Sequence, residues 1–191
     1  MQLDHLRSQA SRCLVLAVLL IQPAWAQEKG AQIYLPLEKA PQVVLPDADS
    51  WERRDVTLTT QQVAQAKKYA EPAKPTLWEQ KVTTFVGRKA GKVIGYAMIA
   101  EEIGKHRPIT FIVAADPDGN VMDTAIMTYR EPIGGEVRQK RFLAQFSGKN
   151  LHNPIMQHKD IRNISGATLS VQALSRGVRK TLALLKVIYG I

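Results

Sequence analysis

Ser165-Gly166-Ala167-Thr168 places two hydroxyls and a glycine where a polar stretch gives way to a long apolar-periodic one. The first turn of a helix has unpaired N–H groups and the positive end of the peptide dipole, so it attracts phosphate or carboxylate. Gly166 lets the backbone approach a ligand closely, and Ser165 and Thr168 add hydroxyls. A threonine hydroxyl is a weak nucleophile, so covalent chemistry at Thr168 needs activation from outside the chain. A blander reading has Ser165 as the N-cap of the following helix, a common use of serine.

The surrounding sequence widens the pattern. Asp160-Ile-Arg-Asn-Ile-Ser-Gly-Ala-Thr-Leu-Ser170 follows an upstream series: Gly95-Tyr96-Ala97, Pro108-Ile109-Thr110-Phe111, Asp118-Gly119, Arg130-Glu131-Pro132, Gly134-Gly135-Glu136-Val137 and Phe142 through Lys149. In this order the segments resemble the FMN-binding domain family over about residues 80–190. That family includes flavin subunits of Na⁺-translocating NADH:quinone reductases and Rnf complexes, and stand-alone exported proteins. The resemblance implies FMN joined through a phosphoester to Thr168 by a Mg²⁺-dependent FMN transferase that uses FAD. It implies cofactor contacts at Ser165, Gly166, Ala167 and Leu169, and gives Asp160 the role of the motif's upstream acid. Arg162 stands where many members carry aspartate. Glu131, Gly134 and Gly135 resemble the family's loop over the flavin ring. There, close approach at Gly135 and a ring or loop contact from Glu131 compete with an ordinary glycine turn before a helix. Lys149 faces either the flavin or a helix end.

His152 and His158 read as solvated loop residues, and no metal-ligand set accompanies them. Trp51 and Trp78 read as packing residues, and Met98, Met122 and Met127 as core. No acid–base constellation surrounds the motif, which points to an electron carrier rather than an enzyme with its own substrate. A binding or scaffold module with non-covalent flavin, or none, is the alternative.

The elements that must position these residues follow from periodicity. Residues 81–86 and 93–99 read as a hairpin, and 108–114 and 121–129 as two further strands joined at Asp116-Pro-Asp-Gly-Asn120. Thr59 caps a helix to Tyr69. Residues 136–146 read as a helix with Val137, Phe142 (or the stem of Lys140) and Phe146 inward. A long helix from about Ala167 to Tyr189 buries Val171, Leu174, Val178, Leu182 and Leu185, with Arg176, Arg179, Lys180 and Lys186 mainly outward. The expected fold is a single α+β domain, an antiparallel sheet packed with helices, its long C-terminal helix starting at the motif.

Length and composition agree. The 191 residues are 45 % apolar and 23 % charged, an ordinary globular balance. Residues 1–26 have a basic start, the apolar run Cys13–Ile21 and a small-x-small end at Ala26, the pattern of a cleaved signal peptide. The expected organisation is signal peptide 1–26, extended arm 27–57 and FMN-binding domain 58–191, with export to the periplasm; an uncleaved N-terminal membrane anchor is the alternative. Cys13 is the sole cysteine, so the mature chain can form neither a disulfide nor a thiolate site. The net charge is +9; Arg7 and Arg12 against Asp4 account for +1 in the leader, leaving +8. No dense basic block with interleaved aromatics accompanies it, so nucleic acid is not an expected partner. The expected partners are the transferase and a redox protein or membrane electron-transport complex.

Overall fold

The computed structural model describes residues 31–191; the expected leader, 1–26, lies outside the described residues. Six strands make one antiparallel sheet: β1 (Gln32–Ile33), β2 (Ser50–Thr57), β3 (Lys81–Lys89), β4 (Lys92–Ile103), β5 (Pro108–Ala115) and β6 (Val121–Tyr129). Their order across the sheet is β1-β6-β5-β4-β3-β2. The helices are α1 (Ala40–Val44), α2 (Thr60–Ala70), α3 (Lys140–Leu143) and α4 (Thr168–Tyr189). This is the expected α+β architecture, and α4 begins on the motif's threonine. Among the described residues no helix is long and apolar enough to cross a membrane.

Side chains of a strand alternate between faces, and β5 sits where both faces are covered. Phe111 and Val113 join the large core under α2 and α4, while Ile112 and Ala114 join a second core under α1. That double burial explains the nearly unbroken apolar run of β5.

The segment over residues 31–57, expected as an irregular arm, is built into the sheet. Its α1 covers the second face through Ala40, Val44 and Leu45. Its β2 pairs with β3 from Ser50↔Arg88 to Thr57↔Lys81. The sequence hid β2 because it is an edge strand. It is mostly exposed and carries Glu52, Arg53, Arg54 and Asp55 in place of apolar alternation, a pattern that discourages pairing with other chains.

The helix expected over residues 136–146 is split. A 3-10 turn, Gly135–Arg138, and α3 flank Gln139, whose backbone is extended (φ −63°, ψ 132°). Val137 and Phe142 are five positions apart, about 140° off a common helical face at 100° per residue. The break at Gln139 lets Val137, Phe142 and Phe146 all reach the core.

On α4 the apolar face is as expected, but two cations are not outward. Lys180 is 0 % exposed and Arg179 is buried. Lys180 Nζ donates to Glu101 O (2.6 Å), Leu77 O (3.0 Å) and the Glu79 carboxylate (2.8 Å). Arg179 Nε donates to Ala70 O (2.8 Å), Nη2 to Glu71 O and Nη1 to Asn153 O. The reason is that α4 is covered by α2 and the 71–79 segment as well as by the sheet. Its cations therefore meet backbone carbonyls, including those at the end of α2 that have no intrahelical donor. At the far end, Tyr189 stacks on Tyr96 (centroids 4.2 Å apart), and its hydroxyl pairs with Thr84 Oγ1 at 2.7 Å.

Gly177 lets α4 lie directly on the sheet, since a Cβ there would run into the Phe111 ring. Alanine favours a helix over glycine by about 1 kcal/mol, whereas overpacking costs about 1–3 kcal/mol. Gly177→Ala is therefore expected to lower stability, seen in urea as a lower midpoint at an unchanged m-value.

Candidate functional site

Three pieces of chain meet at the start of α4. Lys105 and His106 come from the turn between β4 and β5. Glu131, Pro132 and Ile133 come from the loop after β6, and Gly166 through Ser170 from the entry to α4. They enclose a cleft of about 390 Å³, within the range typical of small-molecule sites.

The entry to α4 is open to an anion. Gly166 has φ +82°, and the N-cap is Ala167, with no side chain closing the first turn. The reading of Ser165 as N-cap is therefore corrected, because the helix starts two residues later than that role requires. Ser165 is exposed, Thr168 is half-buried and Leu169 is 44 % exposed. Thr168 Oγ1 accepts a hydrogen bond from Asn163 Nδ2 at 3.1 Å, which orients the oxygen without taking up its own proton.

The opposite wall is fixed by Glu131. Its buried carboxylate accepts from the N–H groups of His106 (2.5 Å) and Arg107 (2.8 Å), and the Lys105 amide also contributes. Burial alone would raise this carboxyl, but the His106, Arg107 and Lys105 amides outweigh it and hold it below the usual range. The loop is pinned a second time at Tyr129. Burial pushes the Tyr129 hydroxyl up, so it stays protonated. It donates to Ile133 O at 2.6 Å and pairs with Ser170 Oγ at 2.8 Å. Gly134 (φ +88°) passes so close to α4 that a Cβ would lie 2.8 Å from Ser170 Oγ and 2.9 Å from the Tyr129 hydroxyl.

Of the residues singled out from sequence, Gly166, Ala167, Thr168, Leu169 and Glu131 line this cleft. Gly134 and Gly135 line a neighbouring hollow of about 490 Å³ behind the same loop, with Tyr34 and Arg138. Gly134 makes the close backbone approach to α4. Lys149 and Asp160 line neither; they pair with each other at 3.1 Å. Asp160 also accepts from Met156 N (2.8 Å) and Ile155 N (3.1 Å), shaping the loop that leads to the motif. Arg162 is exposed, and its amide donates to Gln145 Oε1. His152 and His158 are exposed.

The sequence reading missed Lys105, His106, Tyr129, Asn163 and Ser170. The run Lys105-His106-Arg107, three basic residues between two strands, was the available signal for the first two. Nothing local marks Tyr129 or Asn163, whose roles depend on partners 41 and 5 residues away.

Residues 104–183 match the model of the family described as FMN-binding domain. The chain is also 29 % identical over 105 residues to a component of the proton-translocating ferredoxin:NAD(+) oxidoreductase complex of Clostridium ljungdahlii. That alignment covers 51 % of this chain and 57 % of the relative, so the chain spans little more than half of the relative's length. The resemblance to the FMN-binding domain family is thus borne out for residues 104–183. Every residue lining the cleft falls inside that stretch.

Burial alone would raise the Asp160 carboxyl, but the Met156 amide, the Lys149 ammonium and the Ile155 amide together lower it. A carboxyl whose folded pKa is depressed adds stability above its unfolded value of about 4 and loses it as pH falls through the folded one. Asp160→Asn is expected to cost about 1–3 kcal/mol at pH 7. The gap from wild type should close below about pH 4 in urea unfolding at stepped pH.

Proposed function

We propose that this protein is an exported flavoprotein that carries FMN through a phosphoester on Thr168 and passes electrons in the periplasm. The observation that carries the reading is the position of Thr168. It is the first residue of an uncapped helix, on the wall of a cleft whose every lining residue lies in the FMN-binding domain match.

The residues present fit the group. The cleft walls combine apolar Pro132, Ile133, Ala167 and Leu169 with hydrogen-bonding groups at the entry to α4. When bound, FMN supplies the redox chemistry, while the protein provides orientation and electrostatics. Asn163 holds the Thr168 oxygen, leaving the hydroxyl proton to be removed when an external transferase forms the ester. The first-turn N–H groups of α4 stabilise the charge that a phosphodiester keeps. The Glu131 and Tyr129 attachments keep the loop wall in place, so the cleft is formed before it is filled.

In this reading the FMN transferase uses FAD and Mg²⁺ and acts after export, with the mature chain starting near Gln27. Electrons then pass to a redox protein or a membrane complex. The relative's name, which places it in a ferredoxin:NAD(+) oxidoreductase complex, supports that kind of partner.

Co-expression with the transferase and export should yield a yellow protein whose intact mass exceeds that of the mature polypeptide by one FMN moiety. Thr168→Ala should remove the added mass. Flavin released by acid precipitation from an unmodified wild-type chain would establish non-covalent binding instead. A colourless wild-type chain would sink the flavin reading altogether.

A further inference from the structure

Lys105 and His106, which line the cleft, and Arg107, which follows them in the same turn, are arranged in a way that flavin attachment at Thr168 does not require. The backbone amides of Lys105, His106 and Arg107 all turn inward to the buried Glu131 carboxylate. Their side chains are exposed. Glu131 is buried and occupied by those amides, so its charge is not presented at the surface beside them. Ile133 stands next to this turn and lines the same cleft. At 73 % it is the most exposed large apolar side chain among the described residues. The loop that carries it is not loose, since Tyr129 holds its carbonyl and Gly134 packs against Ser170. An apolar side chain held out on a fixed loop beside a fixed cationic turn has the layout of a transient docking site, with an apolar centre and a charged margin.

We propose that this mouth is the docking surface for an electron-transfer protein with an acidic face, which seats on Ile133 and is oriented by Lys105, His106 and Arg107. The inference rests on the electron-carrier reading above and adds the partner's chemistry and the place where it lands. Charge complementarity selects the occupant. The turn itself, Gly104 to Arg107, contains no acidic residue, and the chain without its leader carries +8, so an acidic partner is drawn in and a basic one repelled.

Lys92 provides an internal comparison. It lies at the opposite end of β4, which spans Lys92–Ile103. At about 3.3 Å per residue that is on the order of 35 Å from the turn. Lys92 is exposed like Lys105, and its replacement by glutamate changes the total charge by the same amount.

The probe is a plant-type ferredoxin, a small acidic redox protein, titrated into the full-length exported protein at low salt and again at about 0.3 M. At 0.3 M, exposed charges are screened beyond several ångströms. Binding is expected to weaken at least tenfold across that range. Lys105→Glu should weaken low-salt binding several-fold and flatten the salt dependence, while Lys92→Glu, the same change of charge, keeps the wild-type slope. Ile133→Ser should weaken binding without altering the slope. In the yellow protein, the rate at which reduced ferredoxin gives up its electron to the flavin should follow the same series. A basic cytochrome c should show the opposite salt trend.

A salt-insensitive wild type, or equal effects from Lys92→Glu and the turn variant, would overturn the proposal. So would turn-dependent binding to anionic lipid vesicles with no ferredoxin binding, which would make the turn a membrane contact. Binding can be titrated with or without flavin. A colourless protein therefore counts against the carrier reading alone, and a yellow protein that ignores ferredoxin counts against the docking surface alone.

Discussion

One buried carboxylate holds the working end of this molecule together. Glu131 follows the last strand of the sheet, yet its Oε1 accepts from the His106 and Arg107 amides in the turn between β4 and β5. A carboxylate removed from water is costly unless donors surround it. Here the donors are main-chain groups that would otherwise lie unpaired in a tight turn. One contact thus satisfies both sides, fixes the cleft wall and determines which way Lys105, His106 and Arg107 face. Exchanging Glu131 for an apolar residue would leave buried N–H groups without acceptors, a greater loss than the contact's net contribution.

The second attachment works differently. Tyr129, Ser170 and Gly134 tie the loop to the first turn of α4, so the helix that carries Thr168 and the loop facing it are parts of one packed unit. The cations at the middle of α4 extend that unit away from the site. Arg179 satisfies carbonyls at the end of α2, and Lys180 gathers Leu77, Glu79 and Glu101. These are buried charges with near-complete hydrogen bonding, the condition under which burial is tolerated. They fix α4 against α2 and β4 more specifically than leucines would.

The central strands, the capped α2 and the start of α4 at Thr168 were legible in the sequence because each carries a local signal: alternation, a capping threonine, a change of period. The flavin motif was legible through its resemblance to the FMN-binding domain family, since its local pattern alone left an anion site and a plain helix start open. Three features were not, and each fails where local pattern and tertiary setting part. Strand β2 is an edge, so its exposed charges carry no burial period. Arg179 and Lys180 look like surface residues on a helical wheel, and only the passage of the 71–79 segment over α4 encloses them. Lys149 was read toward either the flavin or a helix end, and Asp160 as the motif's upstream acid. Their pairing with each other had no local signal, because it arises where a loop that needs an acceptor for two amides also places a lysine within reach. Glu131 was named from sequence without its partners, which lie about 25 positions away.

The stacked tyrosines at the end of α4 have a consequence for its beginning. A helix advances about 100° and 1.5 Å per residue, so pinning one end fixes the azimuth of every side chain along it. Tyr189 is locked to Tyr96 and Thr84, and Thr168 lies 21 residues earlier, roughly 30 Å away. The direction in which the Thr168 hydroxyl points is therefore indexed from the opposite pole of the domain, like a key cut relative to its shoulder. Adding or removing a single residue between them would rotate the hydroxyl by more than a quarter turn out of the cleft, though every residue lining the cleft were kept.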